Sequence, residues 1–540
     1  MNSNTLKIFA VRLGALSLLL LSSCSLVFAN WHESTLRGPA NARLVEAAGP
    51  LSPDKIADAL TSNAWYWKRF APKTGAVEID QPRAYELNFA KDGSLSIKAD
   101  CNRAFGSYRL DGSNLSIEVG PSTLALCPGE SRSEQFLQLL VTAQKLIISG
   151  ELLIMMLKDD SAISFTVPSL VDRCGEKVLA PRSLVDTIDP KVSSQLDKKL
   201  SAFLTPGVNP AAGASMLILT PKGRYFKAVG VSDVAACTPL NADSNYQIGS
   251  NTKMMTGAII YQLQEQRKLS TSDLIKKYLP DESSKLVNGN EITIEMLLTH
   301  TSGLTDYFDV ESGDETIADG VANRSILTRG YRPQDLIKLV ADSGRSDFKP
   351  GETGKWKYSN TGYILLGMII EKVTKRSYEE NLKSRIFKPL GLKKTYFQTG
   401  QPAVGALPRA YYRSPFTFPT DEWNASQGWS AGAVVSTSEE FAVFLKALFT
   451  GKLFKNRATL GLMRTSAPSG KGVLGEGTVY CHGMLENHGV LGHGGETLGF
   501  QSDGGYLPEN DVTVVIWANS AVNNVNRLAV PVLAGILTGK

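Results

Sequence analysis

Ser250 and Lys253 stand three residues apart, where Gln247-Ile248-Gly249 gives way to a run with Met255, Ile259 and Leu263 at helical spacing. Side chains three apart on a helix have Cβ atoms about 5–6 Å apart, so the lysine amine reaches back to the serine hydroxyl. A serine alkoxide is out of reach near neutral pH without a base, and a lysine serves as one when burial keeps its amine neutral. The first helical turn adds unpaired N–H groups that favour developing negative charge. Alone the pattern says little, because about two Ser-x-x-Lys spacings are expected by chance in a chain of this length and ordinary composition. Its weight comes from two further motifs downstream. Tyr358-Ser359-Asn360-Thr361-Gly362 precedes an apolar helix, Tyr363 to Ile370, and Leu491-Gly492-His493-Gly494-Gly495-Glu496 opens a strand near the C-terminus.

Ser-x-x-Lys, Tyr-x-Asn and His-x-Gly in this order resemble the serine β-lactamase and penicillin-binding-protein superfamily. The nearest likeness is to its class C β-lactamase, D-alanyl-D-alanine carboxypeptidase and esterase branch. Leu297-Leu298-Thr299-His300-Thr301-Ser302-Gly303-Leu304, Pro350-Gly351 and the stretch Gly432 to Thr437 add to the likeness. The resemblance implies that Ser250 becomes acylated with Lys253 as its immediate base, and that Tyr358 passes the proton to the leaving group and then activates water. It makes Asn360 the holder of a substrate amide or of Lys253. The backbone N–H groups of Ser250 and Glu496 become the oxyanion hole, each such donor being worth about 10²- to 10³-fold in rate. Gly494 and Gly495 let that strand approach the substrate, and a side chain at Gly495 is expected to occupy the space of the acyl group.

Where many members of that superfamily carry Lys-Thr-Gly, this chain has His493-Gly494-Gly495. A lysine is a standing cation for a substrate carboxylate, whereas a histidine near neutral pH is mostly uncharged. The expectation is therefore a site that binds substrate through His493 yet turns from carboxylate-bearing penicillins toward neutral esters or amides. Exchange of His493 for lysine is expected to raise hydrolysis of anionic substrates. His300, in an apolar and hydroxyl-rich turn, reads as a buried structural hydrogen-bonding group. Cys481, His482, His488 and His493 match no tetrahedral ligand spacing, so no metal and no cofactor is expected. The aromatic residues Tyr411, Tyr412, Phe416, Phe418, Trp423 and Trp429 suit either a cleft wall or a packed cluster.

The elements that must position these groups form an α+β domain over residues 191–540. Met216 to Leu219, a Pro221-Lys222-Gly223 turn and Tyr225 to Val231 make a hairpin, and Gly499 to Tyr506 with Val512 to Ala518 make strand–turn–strand before a terminal helix near 524–537. Helices between the two halves of an antiparallel sheet give a layered domain with an added helical region. Residues 55–168 read as a smaller β-rich domain. Alternating runs flank Asp92-Gly93 and Asp111-Gly112, a pairing that marks hairpins, and Phe136, Leu139 and Leu140 share one face of a helix after Ser133. With Asp100-Cys101-Asn102, Gly106-Ser107-Tyr108 and Cys127-Pro128, this part resembles the META (heat-shock-lipoprotein-like) domain, which implies a small envelope-associated module. Residues 169–190 read as a linker and residues 30–54 as a tether.

Residues 1–29 read as a secretory signal, with Lys7 and Arg12 ahead of the apolar run Leu13 to Leu21. Two processing sites compete: Leu21-Ser22-Ser23-Cys24 resembles a lipobox that would make Cys24 the lipidated first residue, and Val27-Phe28-Ala29 suits plain cleavage. Either way the chain is expected to be exported to a bacterial cell envelope, touching the membrane at most through a lipid anchor. Of the five remaining cysteines, Cys101 and Cys127 are the first pair to expect, and the odd number leaves at least one free. A net charge of +5 spread over 540 residues lacks the concentrated basic stripe that nucleic acid requires. The readings that remain are a serine hydrolase acting on an ester, amide or β-lactam, with a small-molecule or peptidoglycan-derived substrate, and a non-catalytic envelope lipoprotein that binds peptidoglycan fragments or β-lactams. Oligomeric state has no sequence signal.

Overall fold

Alternation of apolar and polar residues along the first third of the chain builds a barrel-like sheet. The computed structural model describes residues 53–521 apart from several internal stretches, the longest being 205–210, 317–327, 400–406 and 412–422. Cys24 with the rest of the signal, nearly all of the tether, Tyr412, Phe416, Phe418 and the helix expected near 524–537 therefore lie outside the described residues. The chain divides into two units, residues 1–173 and 174–540.

In the first unit the strands are β1 (Ala64–Ala71), β2 (Val77–Glu78), β3 (Tyr85–Phe89), β4 (Ser94–Ala99), β5 (Asn102–Asp111), β6 (Asn114–Ser122), β7 (Ala143–Ser149), β8 (Leu152–Leu157) and β9 (Ala162–Thr166). They pair antiparallel in the order β2-β1-β3-β4-β5-β6-β7-β8-β9, and β9 returns to pair with β1, so the sheet closes on itself. Every second residue of β3 and β4 is buried: Leu87, Phe89, Leu95 and Ile97 face inward. Gly93 and Gly112 take φ of +85° and +60°, the left-handed backbone for which the Asp-Gly turns are suited. A helix α1 (Pro53–Thr61) precedes the barrel, and α2 (Ser133–Leu140) puts Phe136 into its core, stacked 4.9 Å from Trp67. Cys101 and Cys127 are disulfide-bonded, as expected.

The second unit is built on a sheet of β10 (Arg182–Asp186), β11 (Gly213–Thr220), β12 (Gly223–Asp233), β17 (Thr478–Tyr480), β18 (Leu485–Asn487), β19 (Val490–Glu496), β20 (Gln501–Leu507) and β21 (Val512–Ala518). Their order is β10-β12-β11-β21-β20-β19-β18-β17, with β13 (Thr238–Pro239) beside β12. The short strands β14 (Tyr246–Gln247), β15 (Tyr396–Phe397) and β16 (Val434–Ser436) form a separate sheet. The expected linker is corrected here: of residues 169–190, β10 pairs with β12 inside the domain, and Cys174 is disulfide-bonded to Cys237. The edge strand is held by charge as well. Lys227 of β12 meets Asp186 of β10 at 2.7 Å and Asp197 at 3.0 Å, the latter on helix α3 (Pro190–Ala202).

Helix α4 (Thr252–Glu265) is buried on every side from Thr252 to Leu263, which explains its composition: Lys253 is its one charged residue before Glu265. Around it lie α5 (Ile294–Leu298), α6 (Asn360–Thr374), buried from Thr361 to Ile370, α7 (Trp429–Gly432) and α8 (Ser438–Phe449). A core that runs through α4, α5 and α6 to Trp517 of β21 fixes the central helix against the sheet. Tyr246, just before that helix, stacks on Trp517 at 4.7 Å.

Candidate active site

Ser250 lies in a single 3-10 turn, Gly249–Asn251, that opens α4. Gly249 adopts φ +54°, and a Cβ there would lie 2.6 Å from the backbone nitrogen of Glu496, so turn and strand touch backbone to backbone. The turn is pinned from both sides. Ile248 N–H donates to the Val434 carbonyl at 3.0 Å, while Asn251 Nδ2 donates to the Ile248 carbonyl and to Ser502 Oγ, each at 3.0 Å.

Gly495 is corrected from substrate contact to packing contact. A Cβ on it would sit 2.0 Å from the Ile248 carbonyl and 2.6 Å from Ser502 Oγ, so its bare Cα lets β19 close against the nucleophile turn and frees no acyl space. Ser250 and Glu496 do share a cleft, of about 200 Å³, whose other walls include Asn360, Tyr307, Phe308, Trp423 and Leu498. Both residues that the family likeness makes oxyanion donors therefore border one cleft. No lysine or arginine lines this cleft among the described residues.

Lys253 is fully buried and its Nζ has three partners: Ser250 Oγ at 3.0 Å, Asn360 Oδ1 at 2.7 Å and the Ala431 carbonyl at 2.9 Å. Burial lowers its pKa to about 7, against an opposing pull from the Asp306 carboxylate. The two carbonyl oxygens only accept, so a neutral amine spends both its N–H bonds on them. Its lone pair is left for the Ser250 hydroxyl, which then donates. That is the orientation of a base ready to remove the serine proton.

A turn after α5 holds the Tyr-x-Asn segment in register with this lysine. Ser359 N–H donates to His300 Nδ1 at 3.1 Å, and Lys357 N–H to the His300 carbonyl at 3.2 Å. Thr361 Oγ1 donates to the Thr305 carbonyl at 2.8 Å and accepts from Tyr307 N–H at 3.0 Å. Asp306 Oδ2 accepts from both Asn360 N and Asn360 Nδ2, each at 2.8 Å, and Oδ1 from Phe308 N–H at 3.1 Å. Sequence reading singled out neither Asp306 nor the Ala431 carbonyl. The signal for Asp306 was present, since it is the one charged residue between Met296 and Phe308; a backbone carbonyl leaves none.

Tyr358 lies beneath Lys253, whose Nζ sits 4.8 Å from the phenol ring centroid. The phenol oxygen is buried without a hydrogen bond of normal geometry. Burial raises its pKa, and the nearby Ser250 hydroxyl offsets part of that rise. Tyr358 therefore stays a neutral phenol at rest, and Lys253 is the group poised to act as base.

His493 is corrected as a substrate contact. Its ring is buried on the inner side of β19: Nδ1–H donates to the Gly494 carbonyl, and Tyr480 Oη–H donates to Nε2 at 3.1 Å. The carbonyl acceptor fixes that tautomer. Burial and the neighbouring Lys253 lower its pKa to about 3, so it is neutral, but it faces Tyr480 and Tyr358 and not the cleft. His300 is buried as well, its ring 4.2 Å from Tyr358 and 4.6 Å from Tyr480, with a pKa pushed well below the usual value by burial. The other residues weighed in the sequence lie apart. Cys481 Sγ donates to the Arg464 carbonyl, His482 Nδ1 bonds Tyr261 Oη, and Trp423 lines the cleft while Trp429 does not.

Comparison with known proteins bears on family and fold. The family model described as Beta-lactamase matches residues 201–535, and that described as META domain matches residues 58–169. PbpX of Bacillus subtilis, assigned by name to the penicillin-binding proteins, is 28% identical over 313 residues, 57% of this chain and 70% of that one. Protein flp of Staphylococcus aureus is 34% identical over 207 residues, and the match spans 38% of its length. Among solved structures, a D-stereospecific amidohydrolase from Streptomyces aligns over 65% of this chain and all of its own, with TM-score 0.53 and 23% identity. D-amino acid amidase from Ochrobactrum anthropi aligns over 65% of this chain and 98% of its own, with TM-score 0.53 and 24% identity. At those identities the likeness speaks for the fold. The Beta-lactamase match, by contrast, takes in more than half of the chain, with Ser250, Lys253, Tyr358 and Asn360 inside it: the chain belongs to the beta-lactamase family, as a serine hydrolase of the β-lactamase-related type behind an N-terminal META domain.

Proposed function

We propose that the protein is an exported hydrolase that cleaves ester, amide or β-lactam bonds through an acyl-enzyme on Ser250. Lys253 takes the hydroxyl proton as Ser250 Oγ attacks the carbonyl carbon, and the oxyanion is held by the N–H groups of Ser250 and Glu496. The C–O or C–N bond then breaks, with Tyr358 relaying the proton to the leaving group, and water releases the acyl group by the reverse path. The observation that carries this reading is the buried Lys253 Nζ at 3.0 Å from Ser250 Oγ, with the Asn360 and Ala431 carbonyls as its other two partners.

Neutral substrates are favoured. His493 is uncharged and faces away from the cleft, and no described wall residue offers a cation to a carboxylate. Amides of D-amino acids belong in the first substrate panel because D-amino acid amidase shares the fold. Short neutral esters and peptidoglycan-derived D-peptides complete it. The signal-like first 29 residues support delivery to a cell envelope, with Cys24 as a lipid anchor.

The test is labelling by a fluorophosphonate and by a fluorescent penicillin. A covalent adduct on wild type that disappears in Ser250→Ala supports the reading; no adduct with either probe refutes it in favour of a binding protein. A p-nitrophenyl ester is expected to exceed a cephalosporin in kcat/KM, and the opposite order by orders of magnitude refutes the preference for neutral substrates. Detergent-phase partition lost in Cys24→Ala checks the anchor.

A further inference from the structure

Asn360 has to face two groups with opposite needs, and an asparagine side chain has two ends of nearly equal size. Turned one way, its oxygen accepts from Lys253. Turned the other way, its NH₂ group donates into the lysine lone pair and occupies the electrons that must take the serine proton. The choice is made by Asp306, a buried carboxylate that can only accept while ionised. Its Oδ2 takes Nδ2–H and the backbone N–H of Asn360, both at 2.8 Å, and Phe308 N–H at 3.1 Å anchors Oδ1. Three N–H donors hold this carboxylate in place inside the core.

We propose that Asp306 is a positioning residue for the reaction: by fixing the amide orientation of Asn360 it directs the lone pair of Lys253 to Ser250. The inference rests on the hydrolase reading above. Asp306 touches neither cleft nor reacting atoms, and it acts through Asn360. It also supplies the negative charge opposite Lys253. The other titratable groups about that amine are His300 on the same turn, Tyr358 just before α6, Tyr363 in its first turn, and His493 on β19. Both histidines are neutral, and none of the four brings an anion. The Tyr-x-Asn segment also has hydrogen bonds to His300, Thr305 and Tyr307 in which Asp306 takes no part, so the backbone has other anchors.

The experiment uses the full chain and the rate of fluorophosphonate labelling as a function of pH. Asp306→Leu is expected to slow labelling at the plateau on the order of 10²-fold, the usual scale for a misplaced catalytic group. In an Asn360→Ala background the same change is expected to add nothing, because the residue it acts through is gone. Asp306→Asn, which keeps the shape, is expected to move the acid limb of the profile to lower pH, since the charge that raises the lysine pKa is removed. Asp306 is purely structural, and the inference falls, if its loss multiplies that of Asn360→Ala in full or if Asp306→Asn labels at wild-type rate with an unmoved limb. Should Asp306→Leu fail to fold, Asp306→Asn alone decides. A wild type that takes no label counts against the hydrolase reading itself, which keeps the two failures apart.

Discussion

The pH dependence of acylation follows from one number and one orientation. Lys253 drops from the ordinary 10.5 to about 7 on burial. At pH 7 an ordinary lysine offers about one neutral amine in three thousand, whereas Lys253 offers about one in two, so burial supplies on the order of 10³ more base. The same difference corresponds to about 5 kcal/mol between its two protonation states. The sign is set by chemistry: only the neutral amine can take the Ser250 proton, so activity is lost as pH falls through 7. His493, at about 3, and His300, well below its usual value, are already neutral there and contribute no competing limb. The assay is the pseudo-first-order rate of fluorophosphonate labelling from pH 5 to 9.5. A tenfold fall per pH unit is expected below about 7, with a plateau above. Lys253→Arg keeps its charge at every pH and is expected to lose the limb together with about 10³-fold or more in rate. A limb near 10, or an arginine variant that labels almost as wild type does, refutes the idea that Lys253 is the base.

Three other perturbations probe the surroundings. Gly495→Ala sets a methyl 2.0 Å from the Ile248 carbonyl, so Tm is expected to fall by an amount equivalent to about 1–3 kcal/mol, with labelling of Ser250 falling beside it; an unchanged Tm rejects the packing role. His493→Lys puts a second amine near Lys253 and away from the cleft, so the acid limb is expected to move to lower pH while the cephalosporin-to-ester ratio of kcat/KM stays put. A ratio that rises toward the cephalosporin restores the sequence-based expectation of a carboxylate contact. Cys174→Ser opens a disulfide between cysteines 63 positions apart, worth about 4 kcal/mol by chain entropy, so calorimetry should show the second unit melting earlier while labelling at low temperature is unaffected.

Much of this was legible in the residues, and the rest failed for identifiable reasons. The hairpins of the META domain could be read because Asp-Gly turns and period-two alternation are local signals, and β3 to β6 fall where they pointed. Ser250 and Lys253 were legible because Tyr-x-Asn and His-x-Gly follow them in order, and the proximity that helical spacing implies is observed at 3.0 Å. The spacing of Met255, Ile259 and Leu263 located helix α4 but did not say that every side of it is buried from Thr252 to Leu263. Residues 169–190 looked like a linker because Pro168, Pro181 and Pro190 stand at or near its edges, yet pairing with β12 and the charge on Lys227 draw β10 into the sheet. That misreading also hid the Cys174–Cys237 bond. His493 and Gly495 were read as substrate-side groups from the family likeness, and a strand motif does not show the packing against Tyr480 and Ile248 that the fold gives them.

The base and the fold make opposing demands on α4. A helix buried on every face favours apolar residues, and a charged lysine within it is disfavoured by several kcal/mol. Folding therefore selects the neutral amine, which is the form catalysis needs. A neutral amine in an apolar core would still be inert if its two N–H bonds were free to turn toward the serine. The Ala431 carbonyl at 2.9 Å and the Asn360 oxygen at 2.7 Å prevent this, one from α7 and one from α6. Three separate helices thus converge to make one lone pair available, so substitutions that shift α6 or α7 against α4 by an ångström are expected to silence the enzyme while every catalytic side chain remains present. Gly367 of α6 marks one close contact between α6 and α7: a Cβ there would meet Ser430 Oγ at 2.3 Å and the Trp429 ring at 2.5 Å, both on α7. Gly367→Ala is accordingly expected to abolish fluorophosphonate labelling at a temperature where the variant is still folded by circular dichroism. A folded variant that labels at wild-type rate shows that the placement of α7 does not govern the lysine.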